Sequence, residues 1–241
     1  YYEHSRAAER LGIDLVTLDD LEPAGDGLRV RREDGRVVPV DVVYRRTDED
    51  RVRDELGEIT RVAQILVPPW LNGSIGLVNA FGNGVADYKL VHSHVEDFVR
   101  FYLAEEPLVR SVPTQALDSG SARREAIGRL DELVIKPRHG HGGTGVTIGS
   151  HVDEDELARV AAEVAVNGER YIAQPIVPLS RHPTVIEGEL QPRHVDLRPF
   201  AFFAGEVRLA PGGLSRVAFD AGEMVVNSSK NGGGKDTWVL D

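Results

Sequence analysis

The sequence predicts a chain in two parts, an α/β portion followed by an α+β portion. Three observations predict it. Helical and strand patterns alternate from Glu3 to Leu103. A connector constrained by Pro107 and Pro113 follows. Beyond Val185 the pattern is strand-rich. The two portions are expected at 1–110 and 111–241, with the boundary between residues 105 and 120.

Each element has a local reason. Glu3 to Leu11 reads as a short helix stopped by Gly12, and Ile13 to Val16 as a strand. Leu28–Arg31 and Val37–Val40 flank Glu33-Asp34-Gly35, a hairpin signal. Asp41 to Arg45 continues as a more buried strand. Asp50 to Leu66 reads as a helix halted by Pro68-Pro69. Leu77 to Asn79 is a short strand before the tight loop Gly82-Asn83-Gly84. Asp87 to Leu103 reads as a helix with Leu90, His94, Phe98, Phe101 and Tyr102 on one stripe. Ala122 to Leu130 is helical, and Leu133–Lys136 and Val146–Ile148 are strands around a glycine-rich loop. Asp153 caps a helix running to Val166, with Glu156 at capping-box spacing. Tyr171–Gln174, Val185-Ile186, Val195–Phe203, Val207–Leu209, Ser215–Phe219 and Met224–Val226 read as strands.

Composition narrows the function. The 241 residues are 41% hydrophobic and 28% charged, ordinary for a globular chain. No run approaches the ~20 apolar residues of a membrane helix, so no membrane association is expected. The net charge is −11, against the basic footprint of a nucleic-acid binder. No cysteine is present, which excludes disulfides, thiolate metal sites and thiol nucleophiles. Tyr1 is not a translation start, and the sole methionine is Met224, so residues are expected upstream. Without cysteine or a leader, the cytoplasm is the expected compartment. An oligomer is compatible with the sequence. Of 28 basic residues only Lys89, Lys136, Lys230 and Lys235 are lysines, which asks what keeps those four from being arginine.

Gly140, Gly142 and Gly145 satisfy the spacing of a dinucleotide fingerprint, but that motif must open a helix. Here a strand rich in β-branched residues follows, and no Gly-Lys-Ser/Thr is present for a P-loop. What remains is a hairpin tip whose backbone N–H groups can approach phosphate oxygens, with Lys136 at the end of the strand before it. A plain surface turn is the alternative.

Val134-Ile135-Lys136-Pro137 and the loop to Gly145 resemble the lid hairpin of ATP-grasp ligases. Asp87-Tyr88-Lys89, Tyr171 to Pro175 and Asp196-Leu197-Arg198 are similar to that superfamily's first lysine element, adenine-bordering strand and Asp-x-Arg signature. Val43 to Arg46, Asn79 to Asp87, Arg193 to Phe200, Pro211 to Arg216, Val226 to Ser229 and Lys235 to Trp238 resemble the circularly permuted type 2 branch, relatives of glutathionylspermidine-synthetase-like ligases. The resemblance implies an ATP-grasp fold with a pre-ATP-grasp α/β portion and a glycine-loop lid hairpin. It implies ATP and magnesium as cofactors and small-molecule or peptide carboxylate and amine (or thiol) substrates, joined through an acyl phosphate.

By the same resemblance, Lys89 and Lys136 would bind phosphates, and His139, Gly140, His141, Gly142, Gly143, Thr144 and Gly145 would cap them. Ile172, Ala173 and Gln174 would meet adenine, mainly through backbone groups, while Asn227 and Lys235 would form a second loop at the nucleotide. Arg198 and Asp196 would be catalytic, and Asp196 a metal ligand. The family's Glu-x-Asn pair is missing, since Glu223 and Asn227 stand four apart, so part of the metal site is expected upstream.

Other features have plainer readings. His92 and His94 are two apart on a helix and do not share a face. Arg45 and Arg46 would grip a carboxylate or be solvated. Asp48-Glu49-Asp50 suits a helix start. Lys230 and Lys235 bracket a glycine run that reads either as a flexible tail or as a second phosphate loop, with Trp238 as an anchor. Two functions stay open: a ligase, or a non-catalytic nucleotide-binding module acting as a regulator or scaffold.

Overall fold

A computed structural model of the chain describes residues 2–46, 52–54, 56–140, 143–203, 205–226 and 232–240. It divides into two compact units, Tyr1–Asp87 and Tyr88–Asp241. That division precedes the connector marked in the sequence, because Lys89 is tied by its backbone to the second unit: its N–H donates to Arg138 O at 3.3 Å.

In the first unit, α1 (Tyr2–Leu11) ends at Gly12, whose φ of 65° lets the chain turn. Residues 13–17 are irregular rather than a strand. An antiparallel sheet of β1 (Leu21–Ala24), β2 (Gly27–Arg31) and β3 (Val37–Pro39) contains the expected hairpin. β4 (Val42–Tyr44) pairs parallel with β5 (Gly76–Val78) across helix α2 (Arg61–Leu71), a β-α-β crossover. β4 is largely exposed, against expectation.

Helix α2 begins at Arg61 and not at Asp50. Asp54 makes a turn first, its Oδ1 accepting from the amides of Leu56 and Glu58 at 2.9 Å. The helix then starts on Thr60, whose hydroxyl accepts from Ala63 N. It passes through Pro68 and Pro69 instead of stopping. Burial of Val62, Ile65 and Leu66 against Leu28 and Ile75 outweighs the lost helical hydrogen bonds. The acidic cluster Asp48-Glu49-Asp50 lies outside the described residues. Arg45 is buried: Nε donates to Asn79 O, Nη2 to Ala80 O, and the guanidinium lies 4.4 Å over the Phe81 ring. Its charge serves the fold, and Arg46 lies 3.5 Å from Glu3.

The helix expected over 87–103 is broken into turns. α3 (Gly84–Asp87) closes the first unit; α4 (Lys89–His92) and α5 (Val95–Phe98) open the second, followed by a π-helical turn at Val99–Leu103. Tyr88 is extended, and the Ser93 hydroxyl donates to Leu90 O, competing with the helical ladder. Phe101 and Tyr102 are 80% and 75% exposed, so the expected stripe does not form a core.

The second unit holds a four-stranded sheet in the order β6 (Gln115–Ala116), β9 (Tyr171–Pro175), β7 (Leu133–Pro137), β8 (Thr147–Ile148), all antiparallel. Helices α6 (Gly120–Ile127) and α7 (Glu154–Asn167) cover one face. Asp153 caps α7 through Glu156 N, as expected, while the Glu156 carboxylate turns to Arg159. The core joins Leu133, Ile135 and Ala173 of the sheet to Ala126, Val160 and Val164 of the helices. By strand alternation Val134 and Lys136 face the other way.

A second sheet runs β10 (Arg181–Ile186), β11 (Glu189–Phe203), β12 (Val207–Ala218), β13 (Gly232–Lys235). The two segments expected at 207–209 and 215–219 are the single strand β12. The glycine tail is a paired strand over 232–235: Gly233 packs against Phe219, where a Cβ would come within 2.3 Å of the ring. Met224–Val226 is irregular, and Trp238 is 83% exposed rather than an anchor. Among the described residues no helix is long and apolar enough to cross a membrane.

Candidate functional site

The free face of the β6-β9-β7-β8 sheet opens onto a cavity of about 520 Å³ within the second unit, in the size range of a small-molecule site. Strand alternation directs Val134 and Lys136 to it from β7, while Leu133 and Ile135 stay in the core. Register fixes the neighbours: Val134 stands across from Gln174 on β9, and from Ile148 on β8. From the second sheet, β11 contributes Asp196 and Arg198, two residues apart and therefore on one face.

The β7–β8 hairpin is present as expected, with a strand and not a helix after the glycines. Its tip forms one wall through Gly140, Gly143 and Thr144. Gly143 and Gly145 have φ of 81° and 69°, and a Cβ on either would press Val225 or Pro137 at 3.3 and 3.2 Å. Lys89 reaches this tip from α4, its Nζ donating to Gly140 O at 2.6 Å.

The charges are uneven. Among the described residues, Lys89, Lys136 and Arg198 line the cavity against one carboxylate, Asp196, a local balance of +2 in a chain whose net charge is −11. Asp196 is already engaged, its Oδ2 accepting from Arg198 Nε and Nη2 at 3.0 and 2.7 Å. The other oxygen, Asp196 Oδ1, is buried without a hydrogen-bond partner among the described residues. Lys136 Nζ donates only to a neutral group in the described contacts, Gln174 Oε1 at 2.7 Å. Burial, and then the nearby Lys89 charge, push its pKa below the ordinary lysine value. Two cations side by side beneath an open cavity form a natural seat for a polyanion.

The structure thus brings together Lys89, Lys136, Gly140, Gly143, Thr144, Gln174, Asp196 and Arg198. It places other expected residues elsewhere. His139 does not line this cavity; its ring lies 4.6 Å from Tyr88, beside a separate pocket shared with Arg138 and Tyr171. Ile172 is 0% exposed and Ala173 belongs to the core. Both are also paired on each side, to β6 and to β7, so their backbone is occupied by the sheet and does not line the cavity. Lys235 turns away, its Nζ donating to Pro183 O at 2.8 Å and Thr184 Oγ1 at 3.3 Å. Gly145 shapes the hairpin base without lining the wall. His141, Gly142 and Asn227 lie outside the described residues.

Sequence reasoning missed the apolar lining: Val112, Val134, Ile148, Leu179, Met224 and Val225. Val134 carried a signal, since it alternates in step with Lys136. Val112, Leu179 and Met224 sit in irregular segments with no period to read.

The model of the circularly permuted ATP-grasp type 2 family matches residues 1–218. The chain belongs to that family. It is similar along its whole length to an uncharacterized protein of Synechocystis sp., 41% identical over half of that relative. An uncharacterized protein of Mycobacterium tuberculosis is 43% identical over the whole chain and 44% of the relative. A Frankia casuarinae protein named "Putative glutamate--cysteine ligase 2-2" is 40% identical over 99% of the chain and 28% of the relative. The chain therefore spans about half the length, or less, of these relatives. Its folding into mixed helices and sheets agrees with an ATP-grasp protein.

Among the described residues no group of three or more His, Asp or Glu side chains is arranged around a metal position. Magnesium commonly takes one or two protein carboxylates and completes its shell with phosphates and water. Asp196, with one buried oxygen unpartnered, fits a single such ligand.

Proposed function

We propose that the cavity is the nucleotide site of an ATP-dependent ligase that joins a carboxylate to an amine through an acyl phosphate. The observation that carries this reading is the convergence of Lys89, Lys136 and Arg198 on one cavity beneath a glycine hairpin. Membership of the ATP-grasp family and the ligase name of the Frankia relatives support an ATP-dependent ligase in general.

In this reading Lys89 and Lys136 hold the phosphates as point charges. The hairpin tip lies over them and excludes water. The apolar walls, with Val134, Ile148, Leu179 and Met224, take the base. Arg198 stabilises charge on the phosphoryl group as it passes to a substrate carboxylate, and the substrate amine then attacks the acyl phosphate and releases phosphate. Magnesium, held by Asp196, would add charge neutralisation at the phosphates.

Binding of ATP to the protein by calorimetry, and ADP formation with candidate carboxylates and amines, test the reading. ADP formed only when both substrates are present supports a ligase. Tight ATP binding by the full-length protein without turnover on any acid–amine pair would overturn it in favour of a non-catalytic nucleotide module.

A further inference from the structure

Lys136 is held by a chain of hydrogen bonds in which each link has one permitted direction. Lys136 Nζ donates to Gln174 Oε1 at 2.7 Å, Gln174 Nε2 donates to Thr114 Oγ1 at 2.7 Å, and Thr114 Oγ1 donates to Val112 O at 3.0 Å. An ammonium has donors only, so the amide end that meets it must be the oxygen. The other end is then an NH2 group in need of an acceptor. The Thr114 hydroxyl has one proton, given to the Val112 carbonyl, so its lone pairs are left for the amide. The three side chains come from positions far apart in sequence, and Gln174 is 8% exposed.

No carboxylate enters this chain. The acidic group of the cavity, Asp196, is engaged with Arg198. Among the described residues, the charged groups sharing the cavity with Lys136 are Lys89 from α4 and Asp196 and Arg198 from β11; β9 presents the neutral Gln174. A glutamate at 174 would hold the lysine as firmly but cancel its charge and compete with a phosphate for it.

We propose that Thr114 is a positioning residue of the nucleotide site: it fixes which way the Gln174 amide points, so that Lys136 is held by a neutral carbonyl and keeps its charge for the triphosphate. The proposal rests on the nucleotide reading for the identity of the anion, but the relay can be read without nucleotide.

The chain has four lysines, so the side-chain NMR signals of lysine-labelled protein can each be assigned with one Lys→Arg variant. The Lys136 titration without nucleotide and the ATP affinity are measured together. Thr114→Val should lower the Lys136 pKa, because the ammonium loses a fixed acceptor, and should weaken ATP binding about tenfold. Thr114→Ser keeps the hydroxyl and should restore both. Gln174→Glu should raise the Lys136 pKa while weakening ATP binding. A role confined to stability would lower the melting temperature and leave the titration in place.

A Thr114→Val protein with the parent's Lys136 titration overturns the proposal, as does failure of Thr114→Ser to restore it. Should Thr114→Val not fold, Gln174→Glu decides: an unmoved Lys136 pKa overturns the relay. If the titrations shift as expected and the parent protein binds no ATP, the nucleotide reading fails and the relay stands.

Discussion

The two faces of the β6-β9-β7-β8 sheet differ in what they ask of the same strands. One face places Leu133, Ile135 and Ala173 in a core with α6 and α7. The other places Val134, Lys136 and Gln174 at a cavity. Residues 133 to 136 thus alternate between folding and recognition one position at a time. A one-residue slip of register would drive Lys136 into the core and Ile135 into the cavity. The core face therefore pins the register that aims the lysine.

The comparison predicts that substitutions separate by face. The largest effect belongs to Ile135→Ala. Ile135 is 3% exposed, and truncation should cost about 2–5 kcal/mol of stability, read by denaturant unfolding. ATP affinity of the protein that remains folded should change little. An affinity loss as large as that of the next variant would break the separation.

Lys136→Ala should do the reverse. Loss of a charge-assisted contact to phosphate should weaken ATP binding by about 1.5–3 kcal/mol, roughly ten- to a hundredfold. Stability should move by less than about 1 kcal/mol, since the repulsion with Lys89 is relieved and water in the cavity can reach Gln174. The exposed Arg124→Ala serves as control and should leave affinity unchanged. Equal affinity losses in Lys136→Ala and Arg124→Ala would contradict the assignment.

The separation also explains what the sequence could show. The β7–β8 hairpin and the Asp153 cap follow local rules of alternation and capping, and they stand where those rules put them. The helix through Pro68 and Pro69 is misread because packing against Leu28 and Ile75 outweighs a local penalty. Phe101 and Tyr102 have helical spacing, yet spacing does not say whether a partner surface exists. Lys235 is expected at the nucleotide by family resemblance, beside a glycine run that reads equally as a flexible tail. Within that run Gly233 is what lets β13 lie against Phe219, a tertiary fact with no sequence period. Ile172 and Ala173 share a segment with Gln174, but only strand order reveals that their two edges are already paired. Thr114 and Val112 lie in an extended connector and gain their role from strands far along the chain.

A pH dependence sharpens the cavity side. The Lys136 pKa is lowered by burial first and by Lys89 second. A bound anion favours the protonated lysine, so ATP affinity should be full below that lowered pKa and fall as pH rises through it, before the ordinary lysine value of 10.5 is reached. Stability without nucleotide should move oppositely. Between the two pKa values the unfolded chain binds more protons, so stability should rise with pH across that window. Both slopes should flatten in Lys136→Ala. An affinity profile identical in parent and variant would remove Lys136 from the site.

The smallest effect gives the closest comparison of the two faces. Val134→Ala lies one residue from Ile135→Ala, on the same strand and with similar chemistry, but faces the cavity. Its stability loss should be about 1 kcal/mol, because the side chain is only half buried and leaves no closed void. ATP affinity should fall a few-fold, while inorganic tripolyphosphate should bind as to the parent, since the wall at Val134 is apolar and the cations are intact. Equal weakening of both ligands would mean that Val134 acts through the position of Lys136. No change in either would move the base away from this wall.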